Sequence, residues 1–113
     1  MNRGDVYEAD LNPAQGNEQG GTRPVIVVSR DALNNISTVV IVVPVTSREN
    51  KKKTYPSQLE IRANDGGLTK DSVALCEQTR AISKTRLKTH LGHLSNRTIS
   101  LLNATLKITL DLP

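Results

Sequence analysis

The sequence has no Trp and no Phe, and its only aromatic residues besides histidine are Tyr7 and Tyr55, which leaves no row of rings for stacking a ligand. A single cysteine, Cys76, occurs in 113 residues. That excludes an intramolecular disulfide and a cysteine zinc site, and it points to a reducing cytoplasm. Long apolar runs are missing too: the longest, VVIVVPV at 39–45, is far short of the ~20 residues that span a bilayer. The opening MNRGDVYEAD lacks the apolar stretch of a signal peptide. The expectation is a soluble, cytoplasmic chain with no membrane partner. Its length predicts a single domain over 1–113, and the high surface-to-volume ratio of so small a domain favours a homodimer.

What is present is basic. Fifteen Lys and Arg against eleven Asp and Glu give a formal charge of +4 and a pI near 9.5, the footprint of a polyanion binder and equally of an ordinary soluble basic protein. No carboxylate cluster resembles a two-metal site, and His90 and His93, only three apart, read as surface or packing residues beside the last helix. Common nuclease constellations are thus mostly missing from the sequence.

The apolar patterning is mainly that of strands. Val6, Tyr7, Ala9 and Leu11 open a short strand, and NPAQGNEQGGT then reads as a long, mobile loop. PVIVVS and STVVIVVPV are β-branched strands bracketing RDALNN, where Ser29 or Asp31 is placed to cap a helical turn. SRENKKKTYP is a second exposed loop, followed by the strand SQLEIR and the Asp65-Gly66-Gly67 turn. DSVALCEQTRAI is predicted as one strand, ISKTRL as a one-turn helix capped by Ser83, and THLGHL as extended chain. From Ser95 the period changes: Ile99, Leu102, Leu106 and Leu110 mark a closing helix with Ser95 as its N-cap. The fold class is mainly β (α+β), a small antiparallel barrel with a C-terminal helix.

RNA offers a chemistry that needs no metal. Its 2′-hydroxyl can attack the neighbouring phosphate, so a protein has only to move protons, orient the strand and stabilise a phosphorane. An arginine suits the last task, because its planar fork matches phosphate oxygens and stays charged.

Arg3-Gly4-Asp5-Val6-Tyr7, the loop with Gly16-Asn17-Glu18-Gln19-Gly20, and Arg23-Pro24-Val25-Ile26-Val27-Val28-Ser29 resemble the opening of MazF/PemK-type toxins. The resemblance continues through Val45-Thr46-Ser47, Asp71-Ser72-Val73 with Glu77-Gln78 and Arg80-Ala81-Ile82, and Leu87 to Leu94, in order along essentially the whole chain. It implies an SH3-like barrel of the MazF/CcdB type and sequence-selective, metal-independent cleavage of single-stranded mRNA, with 2′,3′-cyclic phosphate and 5′-hydroxyl products. It further implies a homodimer and neutralisation by a cognate MazE-like antitoxin.

Carried across by position, Arg23 matches the family's catalytic arginine and Thr46 the threonine whose hydroxyl supports the phosphorane. Read without the family, Arg23 is a loop arginine at a strand start, and Thr46 and Ser47 end a strand by bonding nearby backbone. Glu18 and Gln19 lie where they can orient the arginine, contact a base edge or simply be solvated. Glu77 and Gln78 match a pair near the RNA groove, and strand alternation predicts that only one of them faces it. Lys51, Lys52 and Lys53 are either attractors of phosphate or a solvated loop. The chain departs from some relatives at Leu75, where they carry an arginine, and Arg80 is the candidate replacement. Two rival readings remain: a toxin of the same fold that poisons DNA gyrase without catalysis, and a silent RNA-binding barrel. Arg23 and Thr46 argue against the first, as does the bland ending Leu-Asp-Leu-Pro, since gyrase-poisoning relatives place their contacts at the end of the terminal helix.

Overall fold

The long strand β3 (Val39–Ser47) organises the molecule, because its β-branched run is long enough to take partners on both sides. A computed structural model describes residues 1–51 and 53–113; Lys52 lies outside the described residues. On one side β3 pairs with β2 (Thr22–Val27), which pairs in turn with β1 (Asp5–Asp10) and through it with β7 (Leu87–His93). On its other side the first half of β3 pairs with β6 (Arg80–Ser83), Val40 opposite Ile82, and the second half with β5 (Ser72–Leu75), Val45 opposite Ala74. Strand β4 (Gln58–Ile61) adds to β5. Every pairing is antiparallel.

The result is the expected mainly β, barrel-like sheet, with edges β4 and β7 at the ends of an open hydrogen-bonded path. The Asp65–Gly67 turn bridges that gap against β7. A Cβ on Gly67 would lie 2.0 Å from the Leu91 carbonyl oxygen, and its φ is +76°, so only glycine fits there. Helix α2 (Asn96–Leu110) closes one end. Its Leu102 is buried among Val6, Ile26, Val43, Val45, Ile61, Leu68, Ala74, Cys76 and Leu94, with Ile99 and Leu106 packed against them. Ala9, Leu11, Val25, Val40, Val42 and Ile82 form a second core on the other face of the sheet. Among the described residues no helix is long and apolar enough to cross a membrane.

Ser95 caps α2 as its sequence predicts, accepting the Thr98 N–H at 3.2 Å, and Ser83 accepts the Thr85 N–H at 3.3 Å. Two local readings need correction. The short helix α1 (Asp31–Ile36) begins after Arg30 without a side-chain cap. Ser29 is instead bonded to the buried Asn34, and Asp31 accepts the Arg3 N–H at 2.6 Å. The stretch 71–82 is not one strand: a 3-10 turn at Cys76–Gln78 separates β5 from β6, because the register moves from Val45–Ala74 to Val42–Arg80, three positions along β3 against six on the opposing chain, which must step out. The loop between β1 and β2 is tied at its base by Leu11 N–H to the Gly21 carbonyl (3.0 Å) and Gly21 N–H to Asn12 Oδ1 (2.9 Å).

Candidate active site

Arg23 stands near the start of β2, where the loop from β1 re-enters the sheet. Its half-buried guanidinium donates through Nε to the Gly20 carbonyl at 2.8 Å and through Nη1 to the Val45 carbonyl at 3.5 Å. Extending the Val25–Pro44 register by two residues sets Thr46 opposite Arg23. Burial lowers the guanidinium pKa below its ordinary value, and an arginine stays charged at neutral pH even so. Three of its five N–H donors have no partner among the described residues and are available to an anion.

Thr46 is buried to 8 % exposure and its Oγ1 accepts from the Asn50 amide at 3.3 Å. An accepting hydroxyl keeps its own proton for donation. Thr46 and Ser47 line a cavity of ≈ 180 Å³ with Pro24, Leu68 and Lys70. A larger cavity of ≈ 370 Å³ is lined by Asn17, Glu18, Glu77, Gln78, Thr79 and Arg80. Arg23 links the two, holding the loop of the larger cavity through Gly20 and the wall of the smaller through Val45.

Glu77 and Gln78 both line the larger cavity, contrary to the alternation argument, because they lie on the 3-10 turn and not on a strand. Glu77 Oε2 accepts from the Ser57 hydroxyl at 2.8 Å and the Gln58 amide at 2.9 Å, which orients the carboxylate and leaves Oε1 open. Glu18 does not orient Arg23: its carboxylate caps its own turn by accepting the Gln15 N–H at 2.7 Å. Gln19 meets the site through its backbone, its N–H bonding Gln78 Oε1 at 2.7 Å. Arg80 reaches the Leu11 carbonyl at 3.5 Å.

Lys51 and Lys53 line neither cavity; the Lys51 carbonyl accepts from Arg48, and the Lys53 ammonium sits 5.2 Å from the Tyr55 ring centroid. Lys52, predicted with them, falls outside the described residues. Leu75 is buried at 2 % exposure, so that position offers nothing to a ligand. Asn50, Asn17 and Lys70 were missed. Asn50 follows Thr46 by four residues in a polar loop, and only that proximity could have marked it.

Two other groups are accounted for without catalysis. The Cys76 thiol, 1 % exposed, is pushed up to about 12 by burial and then by Glu77, so it is no nucleophile. His93 Nδ1 lies 2.8 Å and His90 Nε2 3.7 Å from the buried Asp5 carboxylate, and the His90 ring lies against Tyr7. The pair therefore belongs to the β1–β7 seam, as packing residues would.

Residues 2–110 match the family described as PemK-like, MazF-like toxin of type II toxin-antitoxin system. The chain belongs to that family. An Endoribonuclease MazF from Staphylococcus saprophyticus is 47% identical over 112 residues, covering 99% of this chain and 92% of its own. MazF from Deinococcus radiodurans superposes with a TM-score of 0.83 at 26% identity, over 99% of this chain and 97% of that one. A mycobacterial endoribonuclease solved in complex with its cognate antitoxin gives a TM-score of 0.83 at 26% identity, covering 100% of this chain and 97% of the other. Membership in the MazF-like toxins favours the enzymatic reading over both the gyrase-poisoning and the silent alternatives.

Proposed function

We propose that this endoribonuclease toxin cleaves single-stranded mRNA at short specific sequences, without a metal, through attack of the ribose 2′-hydroxyl on the adjacent phosphorus. Carrying the proposal is one observation: Arg23 is anchored by two backbone carbonyls while three of its donors stay unpaired, opposite a threonine hydroxyl whose proton is free. The 2′-oxygen forms a bond to phosphorus and gives up its proton to a carboxylate. Glu77 and Glu18 are the carboxylates lining the larger cavity. Arg23 and Thr46 hold the phosphorane oxygens. The P–O5′ bond then breaks, and a returned proton leaves a 5′-hydroxyl and a 2′,3′-cyclic phosphate.

RNA is held chiefly through hydrogen bonds and phosphate contacts from Gln19, Ser47 and Arg80, since Tyr7 lies against His90 and Tyr55 under Lys53. Lys51, Lys52 and Lys53 attract the strand at longer range. The chain works as one domain over 1–113 and as a homodimer in the cytoplasm. Exposed Ile36, Val39 and Ile41 give apolar surface that such a dimer would cover. A cognate MazE-like antitoxin neutralises it, a reading supported by the mycobacterial relative solved with its own antitoxin.

The test is to incubate the purified protein with a defined RNA in EDTA and sequence the ends. Recurrent breaks with 5′-hydroxyl ends, lost in Arg23→Ala, are expected. Cleavage that requires added metal, or 5′-phosphate ends, would overturn the mechanism. Gyrase inhibition with intact RNA would restore the rival reading.

A further inference from the structure

Both ends of the Gln78 amide are engaged by backbone, and by the backbone of one segment. Its Oε1 accepts the Gln19 N–H at 2.7 Å, and its Nε2 donates to the Asn17 carbonyl at 3.1 Å. These bonds join positions 59 and 61 residues apart in the chain. Among the described residues, Gln78 is the one side chain from outside the loop that bonds the stretch 15–19. Within 15–19 the other bonds are the local turn between Gln15 and Glu18; the rest of the loop is tied where Gly21 meets Leu11 and Asn12 and where the Gly20, Leu11 and Asn12 carbonyls accept from Arg23, Arg80 and Arg86.

The peptide that carries the Gln19 N–H is followed directly by Gly20, whose carbonyl accepts Arg23 Nε at 2.8 Å. A continuous path therefore runs from the Cys76–Gln78 turn, through the Gln78 amide and the loop backbone, to the guanidinium. Its far end is firm. Cys76 is 1 % exposed, its N–H donates to the Ser57 carbonyl at 3.0 Å, and its carbonyl accepts the Thr79 hydroxyl at 2.6 Å.

We propose that Gln78 is a positioning residue that latches the loop between β1 and β2 to this turn and, through the Gly20 carbonyl, sets the Arg23 guanidinium for phosphate. The inference rests on the reading of Arg23 as the catalytic arginine. It also changes the part assigned to Gln78 by its place in the sequence, since the amide holds protein before it meets RNA. A latch of this kind needs one acceptor and one donor on a single planar head. The Gln amide offers both, and Asn, which has the same head, is one methylene shorter. With the latch gone, the loop keeps its ties at the base and samples many positions, and a loosely placed arginine loses transition-state contacts more than substrate binding.

The experiment compares wild type, Gln78→Ala and Gln78→Glu, each also combined with Arg23→Lys, which keeps a measurable rate. Amide exchange at Gln19 is followed in the RNA-free protein, and kcat, KM and cut sites are measured on RNA. In Gln78→Ala the Gln19 amide is expected to exchange about tenfold faster, matching the opening of a bond worth roughly a tenfold change in population. The kcat should fall on the order of tenfold with KM and cut sites little changed. Gln78→Glu keeps the acceptor for Gln19 and loses the donor to Asn17, so it should fall between. On the Arg23→Lys background, Gln78→Ala should add little further loss, because both changes act through one group. Unchanged Gln19 exchange overturns the latch. A shifted KM or cut site with exchange preserved would make Gln78 an RNA contact instead, and full additivity with Arg23→Lys would disconnect it from Arg23. If wild type cuts no RNA, the catalytic reading fails, while the exchange arm still decides whether Gln78 holds the loop.

Discussion

Replacing Arg23 with lysine separates the two things an arginine brings, its charge and its fork. At ~4 Å from a phosphate and an effective dielectric of ~20, either side chain contributes an attraction of about 4 kcal/mol, so charge nearly cancels in the comparison. Geometry does not cancel. Arg23 holds Gly20 at 2.8 Å with Nε and still has three donors unpaired, whereas a lysine carries all its donors on one atom and cannot grip Gly20 and clamp two phosphate oxygens together. Losing one positioned donor to a developing oxyanion costs about 2.7–4 kcal/mol, so kcat for Arg23→Lys should fall about 10²–10³-fold. Arg23→Ala, which also loses the charge, should fall further.

The stability effect should be small by comparison. The Gly20 bond joins a half-buried guanidinium to a loop carbonyl, and after allowance for solvent its loss costs about 1 kcal/mol, or ~4–8 °C in Tm. Single-turnover cleavage of a fluorogenic RNA in EDTA, run beside melting curves, measures both quantities on the same samples. Arg23→Lys within threefold of wild type would refute the argument, because charge alone would then suffice.

Three further outcomes follow from the fold. Gly67→Ala forces a Cβ to 2.0 Å from the Leu91 oxygen at a φ of +76°, which should cost roughly 3 kcal/mol or more and lower Tm by ~12 °C or more in a thermal melt. Burial pushes the Asp65 carboxyl up, but hydrogen bonds from Thr98 and Ser95 outweigh it and hold the pKa below the ordinary 3.8. A depressed carboxyl stabilises the fold at pH above its unfolded value and loses that contribution as pH falls through the folded one. Asp65→Asn should therefore cost about 1 kcal/mol at pH 7 and flatten the decline in Tm below about pH 4. The Cys76 thiol should resist iodoacetamide at pH 8 in the folded protein and react in denaturant; rapid labelling of the native protein would contradict its burial.

The elements that a short window can report were legible in the sequence. The β-branched runs became β2 and β3, the Ile99–Leu102–Leu106 spacing became α2, and Ser83 and Ser95 cap where their positions predicted. Arg23 and Thr46 were named by the family pattern, and extending the β2–β3 register by two residues sets them opposite each other. Contacts that depend on distant chain left no local trace. Asp65 accepts from Ser95 and Thr98 across about thirty residues, His93 reaches Asp5 across 88, and Gln78 reaches Asn17 across 61. The break at Cys76–Gln78 was hidden for a related reason. Nothing in Leu-Cys-Glu-Gln-Thr interrupts a strand, and the turn is imposed by β3, which presents one half of its edge to β5 and the other to β6.

That imposed turn connects the curl of the sheet to the chemistry proposed for it. Had 71–82 run as one strand, Glu77 and Gln78 would point to opposite faces, and only one could meet the loop that carries Arg23. The step from β5 to β6 instead presents both to the same cavity, Glu77 oriented by Ser57 and Gln78 bonded to the loop. The same strand carries Thr46 next to its last residue and offers its Val45 carbonyl to Arg23. A carboxylate, an arginine, a hydroxyl and an amide are thus placed by β3 and the two partners it takes along one edge. It follows that substitutions in the middle of β3, at Val43 or Pro44, should disturb cleavage more than their effect on stability would predict, because they move four groups together.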